Sequence, residues 1–126
     1  MNYCIILAAG NGSRMKTKKP KCLHTILGKE MINYVIDAAK IPLIDKTICI
    51  LNNNNKDEIL KSIGNIEYCI QKHPLGTANA VLAAKSLIDY DGYTVILPSD
   101  IPLINKKYLL KQKDRNQNDF YLLYLL

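Results

Sequence analysis

The feature that most constrains this chain is a short apolar run that opens straight into glycines. Tyr3-Cys4-Ile5-Ile6-Leu7-Ala8 carries no charge and is bounded by Gly10 and Gly12. That pattern is the signature of a buried strand. From Met31 to Lys40 the period changes: Ile32, Val35, Ile36 and Ala39 recur at i, i+3, i+4 and i+7, one face of a helix. Thr47–Leu51 then reads as a second strand, Lys56–Ser62 as a short helix, and residues 67–70 as a third strand. Thr77 is placed to cap a helix running to about Leu87, with Val81, Ala84 and Ile88 on its apolar side. Tyr93–Leu97 is a fourth strand, stopped by Pro98. Asn105 can cap a last helix over Lys106–Arg115, and Asp119–Leu126 would suit a fifth strand.

Strand and helix alternate throughout. The expected fold class is therefore α/β, a Rossmann-like, mostly parallel sheet with helices on both faces. Ligands of such sheets bind beyond the carboxyl ends of the strands. Three loops should meet on that edge: Ala9–Lys21 after the first strand, Gln71–Thr77 after the third, and Pro98–Pro102 after the fourth.

Composition narrows the function classes. At 126 residues the chain is one domain, or a piece of a larger one, with enough length for a single core. No run approaches the ~18 apolar residues that cross a bilayer, and no basic leader precedes the first strand, so a cytoplasmic setting is expected. The cysteines Cys4, Cys22, Cys49 and Cys69 are dispersed, with no C-x-x-C pair, and three of them fall in strand-like runs where a thiol packs as a small hydrophobe. The net charge of +6 is concentrated at one place. Residues 1–29 hold Arg14, Lys16, Lys18, Lys19, Lys21 and Lys29 without one acid, and the eleven other basic residues match the eleven acidic ones. A local field of this kind attracts polyanions. The lysines lack the interleaved aromatics of a nucleic-acid surface, so nucleic acid is not the expected partner.

The first loop can hold phosphate. Glycines let backbone N–H groups approach a phosphate chain, and Ala8 and Ala9 leave room for a flat base or sugar. The dinucleotide fingerprint G-x-G-x-x-G fails because Met15 stands at the third glycine, and no G-x-x-x-x-G-K-[ST] occurs anywhere. The fork of Arg14 and the point charge of Lys21 could neutralise a triphosphate and departing pyrophosphate. Pro20 restricts the backbone leading into Lys21. In the second loop, Gln71 offers an amide to a pyrimidine edge, Gly76 permits close backbone approach, and Thr77 opens a helix whose amino end favours anions. In the third, Asp100 ends a buried strand opposite the glycine loop, where a Mg²⁺ bridging nucleotide phosphates would need a carboxylate. His24 and His73 read as structural and solvated residues, respectively.

The longer motifs resemble a known family. Leu7-Ala8-Ala9-Gly10-Asn11-Gly12-Ser13-Arg14-Met15 with Lys19-Pro20-Lys21 is similar to the L-A-A-G-x-G-T-R-M…x-P-K signature of sugar nucleotidyltransferases. Lys21-Cys22-Leu23-His24, Gly28-Lys29 and Met31-Ile32 resemble a stretch of the N-acetylglucosamine-1-phosphate uridylyltransferases, as do Gln71…Leu75-Gly76-Thr77 and Leu97-Pro98-Ser99-Asp100-Ile101-Pro102-Leu103-Ile104. Ser99 stands where that family keeps glycine. The resemblance covers residues 3–104. It implies a truncated nucleotidyltransferase fold, with residues 1–126 as the nucleotide-binding part of the catalytic domain, about half of it, and without the family's C-terminal β-helix.

The implied reaction joins UTP and N-acetylglucosamine 1-phosphate into UDP-N-acetylglucosamine, releasing pyrophosphate. By resemblance, Arg14 and Lys21 are catalytic, and Leu7, Ala8, Ala9, Gly10, Gly12, Lys21, Gln71, Gly76, Thr77 and Ser99 bind the nucleotide. Asp100 holds Mg²⁺. The alternative is a catalytically inactive nucleotide-binding remnant. In either case the apolar strand Phe120–Leu126 would invite association through an open sheet edge.

Overall fold

The computed structural model describes residues 1–10, 19–89, 91–107 and 109. Its centre is a four-stranded sheet made of β1 (Tyr3–Leu7), β4 (Lys46–Leu51), β5 (Glu67–Ile70) and β6 (Thr94–Pro98). The order is β5-β4-β1-β6, and every pairing is parallel. The chain therefore steps from β1 to β4 to β5 in one direction, then returns to place β6 on the other side of β1. Between β1 and β6 the direction of winding reverses, and in open α/β sheets the crevice at such a reversal is the ligand site. The registers level the carboxyl ends: Leu7 stands opposite Ile50 on one side and Pro98 on the other.

The strand sequences explain this burial. Tyr3, Cys4, Ile5 and Ile6 are all buried, as a central strand covered on both faces requires. Alternation sorts them: Cys4 and Ile6 pack with Cys49, Leu51 and Leu97 on one face. Tyr3 and Ile5 pack with Ile48, Ile50 and Ile96 on the other. Each fully buried isoleucine contributes about 1.5–3 kcal/mol relative to exposure.

Helices cover both faces. α1 (Met31–Ala39) buries Ile32, Val35, Ile36 and Ala39 against the first face, the stripe its period prescribes. α2 (Lys56–Ile63) joins it there through Ile59 and Ile63. Asp57 and Glu58 sit in its first turn and Lys61 in its last, which suits the helix dipole. On the opposite face lies α3 (Thr77–Leu82), anchored by Ala80, with the buried Ala84 just beyond its end.

Two expectations change here. α3 stops at Leu82 rather than near Leu87, because its bonds tighten to 3₁₀ spacing: Ala84 N–H donates to Val81 O at 3.0 Å and Leu87 N–H to Ala84 O at 2.9 Å. And Thr77 is not the cap. Gly76 takes that position at φ 95°, ψ −178°, a conformation open to glycine alone, and no side chain caps the helix.

A small antiparallel hairpin, β2 (Thr25–Ile26) with β3 (Lys29–Glu30), precedes α1. Its two-residue turn places Leu27 at φ 52° and Gly28 at φ 79°, the double positive φ that matches the twist of a tight hairpin. Tyr34 Oη donates to Ile26 O at 2.6 Å, pinning the hairpin to α1. Lys29 pairs with Asp37 and lies over the Tyr34 ring, 4.7 Å from its centroid. The last expected helix is described at Lys106, Lys107 and Leu109, where the backbone is helical. The rest of it, and the expected strand Asp119–Leu126, lie outside the described residues.

Candidate nucleotide site

The site is built where the strands end. Ala8, Gln71 and Ser99 are each the first residue past a strand, and each extends the sheet ladder by one bond. Ala8 N–H donates to Ile50 O at 2.8 Å, Gln71 N–H to Leu51 O at 2.8 Å, and Ser99 N–H to Leu7 O at 3.2 Å. The three loops expected on one edge thus start from pinned positions.

Two cavities open there, on either side of Gly10. The larger, about 350 Å³, is bounded by Leu7, Ala9, Gly10, Gln71, Pro74, Gly76, Thr77, Ala80 and Pro98. The smaller, about 170 Å³, is bounded by Leu7, Ala8, Gly10, Pro20, Lys21, Cys22, Ser99 and Asp100. Leu7 and Gly10 belong to both walls. The structure therefore brings together Leu7, Ala8, Ala9, Gly10, Lys21, Gln71, Gly76, Thr77, Ser99 and Asp100. Gly12 and Arg14 lie outside the described residues.

The smaller cavity carries charge. Lys21 opens a 3₁₀ turn, Lys21–Leu23, whose Cys22 and Leu23 are buried anchors, and Pro20 leads into it in an extended conformation. Lys21 Nζ lies 2.9 Å from Asp100 Oδ2, with the lysine 53% and the aspartate 33% exposed. An ion pair this open contributes about 0–1 kcal/mol, so an arriving phosphate or cation could displace either partner at little cost. Ser99 is buried and hydrogen-bonded with the Cys22 thiol. Burial pushes that thiol up to about 11, and the nearby Asp100 charge adds to the rise against the opposing Ser99 bond. Cys22 is thus a wall, not a nucleophile.

The larger cavity holds neutral dipoles instead. Gln71 is buried, and its Nε2 donates to Gly76 O at 3.1 Å and to Asn79 Oδ1 at 2.9 Å. Since α3 has six residues, its column of peptide dipoles is too short to make an anion site by itself. The loop's contribution is its amide and the close backbone that Gly76 permits.

Sequence reading missed the residues that hold the first loop. Asn52–Asn55 reads as an undistinguished polar loop, yet two of its amides clamp the backbone leaving β1. Asn55 Nδ2 donates to Ala8 O at 2.8 Å, and Asn52 Nδ2 to Ala9 O at 2.7 Å. Asn55 is buried, and its Oδ1 accepts from Asn52 N–H at 3.0 Å. With both carbonyls turned toward the asparagines, the peptide chain around Gly10 is fixed between the two cavities. The only signal in the sequence was four consecutive asparagines, which gives no indication of what they bond.

Among the described residues no group of three or more His, Cys, Asp and Glu comes together. Asp100 is a single carboxylate at a strand end beside an open cavity, which fits a cation that takes one or two carboxylates and completes its shell with phosphates and water. A site requiring an all-protein cage is not met by these residues.

A family model for the MobA-like NTP transferase domain matches residues 4–120. The chain belongs to that family. Its relatives include the bifunctional protein GlmU of Clostridium kluyveri, 41% identical over 122 residues, which covers 95% of this chain and 26% of that protein. The GlmU of Clostridioides difficile is 41% identical over 110 residues, covering 86% of this chain and 24% of its own length. The chain thus spans about a quarter of the length of the curated relatives it matches. Among solved structures, Rv0371c from Mycobacterium tuberculosis H37Rv superposes with a TM-score of 0.76 at 19% identity, over 90% of this chain and 59% of that one. A nucleotidyl transferase from Methanothermobacter thermautotroptrophicus gives 0.73 at 16% identity, over 91% and 57%. These structures share the fold. As a MobA-like NTP transferase domain the chain is a nucleotidyltransferase-family protein, and its parallel sheet with helices on both faces is that family's. Among the described residues no helix is long and apolar enough to cross a membrane.

Proposed function

We propose that the chain binds UTP across the two cavities and transfers its uridylyl group to N-acetylglucosamine 1-phosphate, giving UDP-N-acetylglucosamine and pyrophosphate. The observation that carries this reading is the shared wall at Leu7 and Gly10, which joins a neutral amide cavity to a charged one. A nucleoside triphosphate has that division: a flat polar base at one end and a run of charge at the other. The choice of sugar substrate follows the resemblance of the loop motifs to the N-acetylglucosamine-1-phosphate uridylyltransferases, and the likeness to bifunctional GlmU proteins supports it.

A sugar phosphate is already an anionic nucleophile near neutral pH, so the reaction needs neither a general base nor a covalent enzyme intermediate. An oxygen of the sugar phosphate bonds to the α-phosphorus while the bond to the bridging oxygen breaks, and pyrophosphate leaves with that electron pair. The protein's part is positioning and neutralisation. Gln71, Gly76 and Thr77 seat the base. Leu7, Ala8, Ala9, Gly10, Gly12 and Ser99 shape the backbone channel. Lys21 and Arg14 neutralise charge on the phosphates and the leaving group. Asp100 would hold Mg²⁺, which when bound supplies charge neutralisation across the phosphate chain. Because Lys21 and Asp100 are paired with each other, each must exchange its partner for a ligand group on binding. The reading carries with it the cytoplasmic setting expected from the sequence.

The test is pyrophosphate release from UTP and N-acetylglucosamine 1-phosphate in Mg²⁺, beside calorimetry with UTP. Turnover that disappears in Asp100→Ala supports the transferase. UTP binding with no turnover reduces the assignment to a nucleotide-binding module, and absence of both removes the reading.

A further inference from the structure

We infer that Asn55 and Asn52 are positioning residues that turn the peptide N–H groups of Ala9 and Gly10 toward the charged cavity, where the pair receives a phosphate oxygen. The inference rests on the nucleotide-binding reading above and deepens it.

The parallel ladder between β1 and β4 is interrupted where the two strands end. Bonds in such a ladder are evenly spaced, so the step after Ala8 N–H to Ile50 O would join Asn52 N–H to Ala8 O. The Asn55 carboxamide stands between them instead. Its Oδ1 accepts from Asn52 N–H at 3.0 Å, and its Nδ2 donates to Ala8 O at 2.8 Å. A side chain only 6% exposed thus takes the place of a peptide unit and holds the strand ends apart. Asn52 captures the next carbonyl, with Nδ2 2.7 Å from Ala9 O. Its own Oδ1 accepts from the N–H groups of Asn54 at 2.9 Å and Asn55 at 2.8 Å, which fixes the orientation of the amide.

Two successive carbonyls, those of Ala8 and Ala9, are therefore drawn to one loop. In an extended strand they would point to opposite sides. The C=O and N–H of a planar trans peptide oppose each other, so the N–H groups of Ala9 and Gly10 both turn away from that loop. The sheet order puts the asparagine loop on one flank of β1, and Ser99 and Asp100 on the other. Gly10 lies in the wall of the charged cavity with Lys21 and Asp100. Neither N–H has an acceptor among the described residues, although Ala9 is only 8% exposed. Buried peptide donors are nearly always paired, and two successive ones turned to one side form a concavity that binds anions. Lys21 must leave Asp100 before it can meet a phosphate, whereas these donors are already set.

Proton–nitrogen NMR of the isotope-labelled chain tests this, with UTP, inorganic tripolyphosphate and uridine as separate probes in MgCl₂. The Ala9 and Gly10 amide protons are expected to move downfield with UTP and with tripolyphosphate, and far less with uridine. Calorimetry with UTP then compares variants, and circular dichroism melts check their folding. Asn55→Ala and Asn52→Ala should each weaken UTP binding by about fivefold or more, while uridine affinity, read from the NMR titration, stays within about twofold. Asn53→Ala, an exposed member of the same run, should leave both affinities unchanged. A lowered melting temperature with unmoved UTP affinity, or an equal loss for UTP and uridine, overturns the positioning role. Ala9 and Gly10 signals that ignore UTP and tripolyphosphate while the Lys21 signal responds overturn the donor assignment, with phosphate binding intact. No binding of UTP at all removes the underlying reading as well.

Discussion

The two cavities that flank Gly10 solve different problems with different materials. On the Gln71 side, polarity comes from neutral amides, buried and held by two hydrogen bonds, so its pattern of donors and acceptors is set before any ligand arrives. On the Asp100 side, polarity comes from charges that are part-exposed and paired with each other. Fixed dipoles suit recognition, because a mismatched ligand cannot bend them. Exchangeable charges suit chemistry, because they can be redirected to a phosphate chain at little cost. The difference teaches which side should govern affinity for a base and which should govern turnover.

The largest expected effect breaks the comparison most directly. Asp100→Ala should lower pyrophosphate release by about a hundredfold or more, while UTP affinity measured by calorimetry falls much less. Equal losses in both would mean that the two sides are not separable. Next, Lys21→Ala should weaken UTP binding by roughly 1.5–3 kcal/mol and flatten its dependence on salt. The UTP-to-CTP preference should not move, and a titration series at several salt concentrations checks both statements.

A smaller effect falls on the wall that the cavities share. Asn55→Leu leaves Ala8 O and Asn52 N–H without their partner, at a cost of roughly 1–3 kcal/mol. Thermal melts should show a loss of roughly 4 °C or more, and the affinities for UTP and CTP should fall together. If only one of them fell, the clamp would belong to one side. Smallest of all, Cys22→Ala should leave turnover within about twofold, despite its place in the charged cavity. With its thiol raised to about 11, roughly one part in a thousand is thiolate at pH 8. Cys69, half-buried, should therefore react first with an aromatic disulfide reagent, with Cys4, Cys22 and Cys49 lagging. Rapid modification of Cys22 would contradict its assignment as a wall.

Much of the scaffold was legible because burial writes itself into periodicity. The runs at Tyr3–Leu7 and Lys46–Leu51 and the stripe on α1 depend on which side chains leave water, and apolar spacing records that. The hairpin at Thr25–Glu30 was not legible. It has two residues per strand and a leucine at a left-handed turn position, so neither period nor turn chemistry marks it. The end of α3 was misplaced for a similar reason, since apolar spacing continues through Ala84 and Ile88 while the backbone has already tightened. Of the site, the residues that touch the cavities follow from loops at strand ends. Those that orient them, Asn52 and Asn55, act through hydrogen bonds between distant segments, and one-dimensional patterns carry no trace of such partners.

The ladder bonds at Ala8, Gln71 and Ser99 have a consequence for how such a domain can change. Each loop departs from a peg driven into the neighbouring strand, so its starting coordinate is independent of its length and of the residues beyond it. Residues can be inserted, deleted or exchanged downstream of those pegs without shifting the others. A sheet built this way is a mounting plate on which new substrate pockets can be assembled one loop at a time.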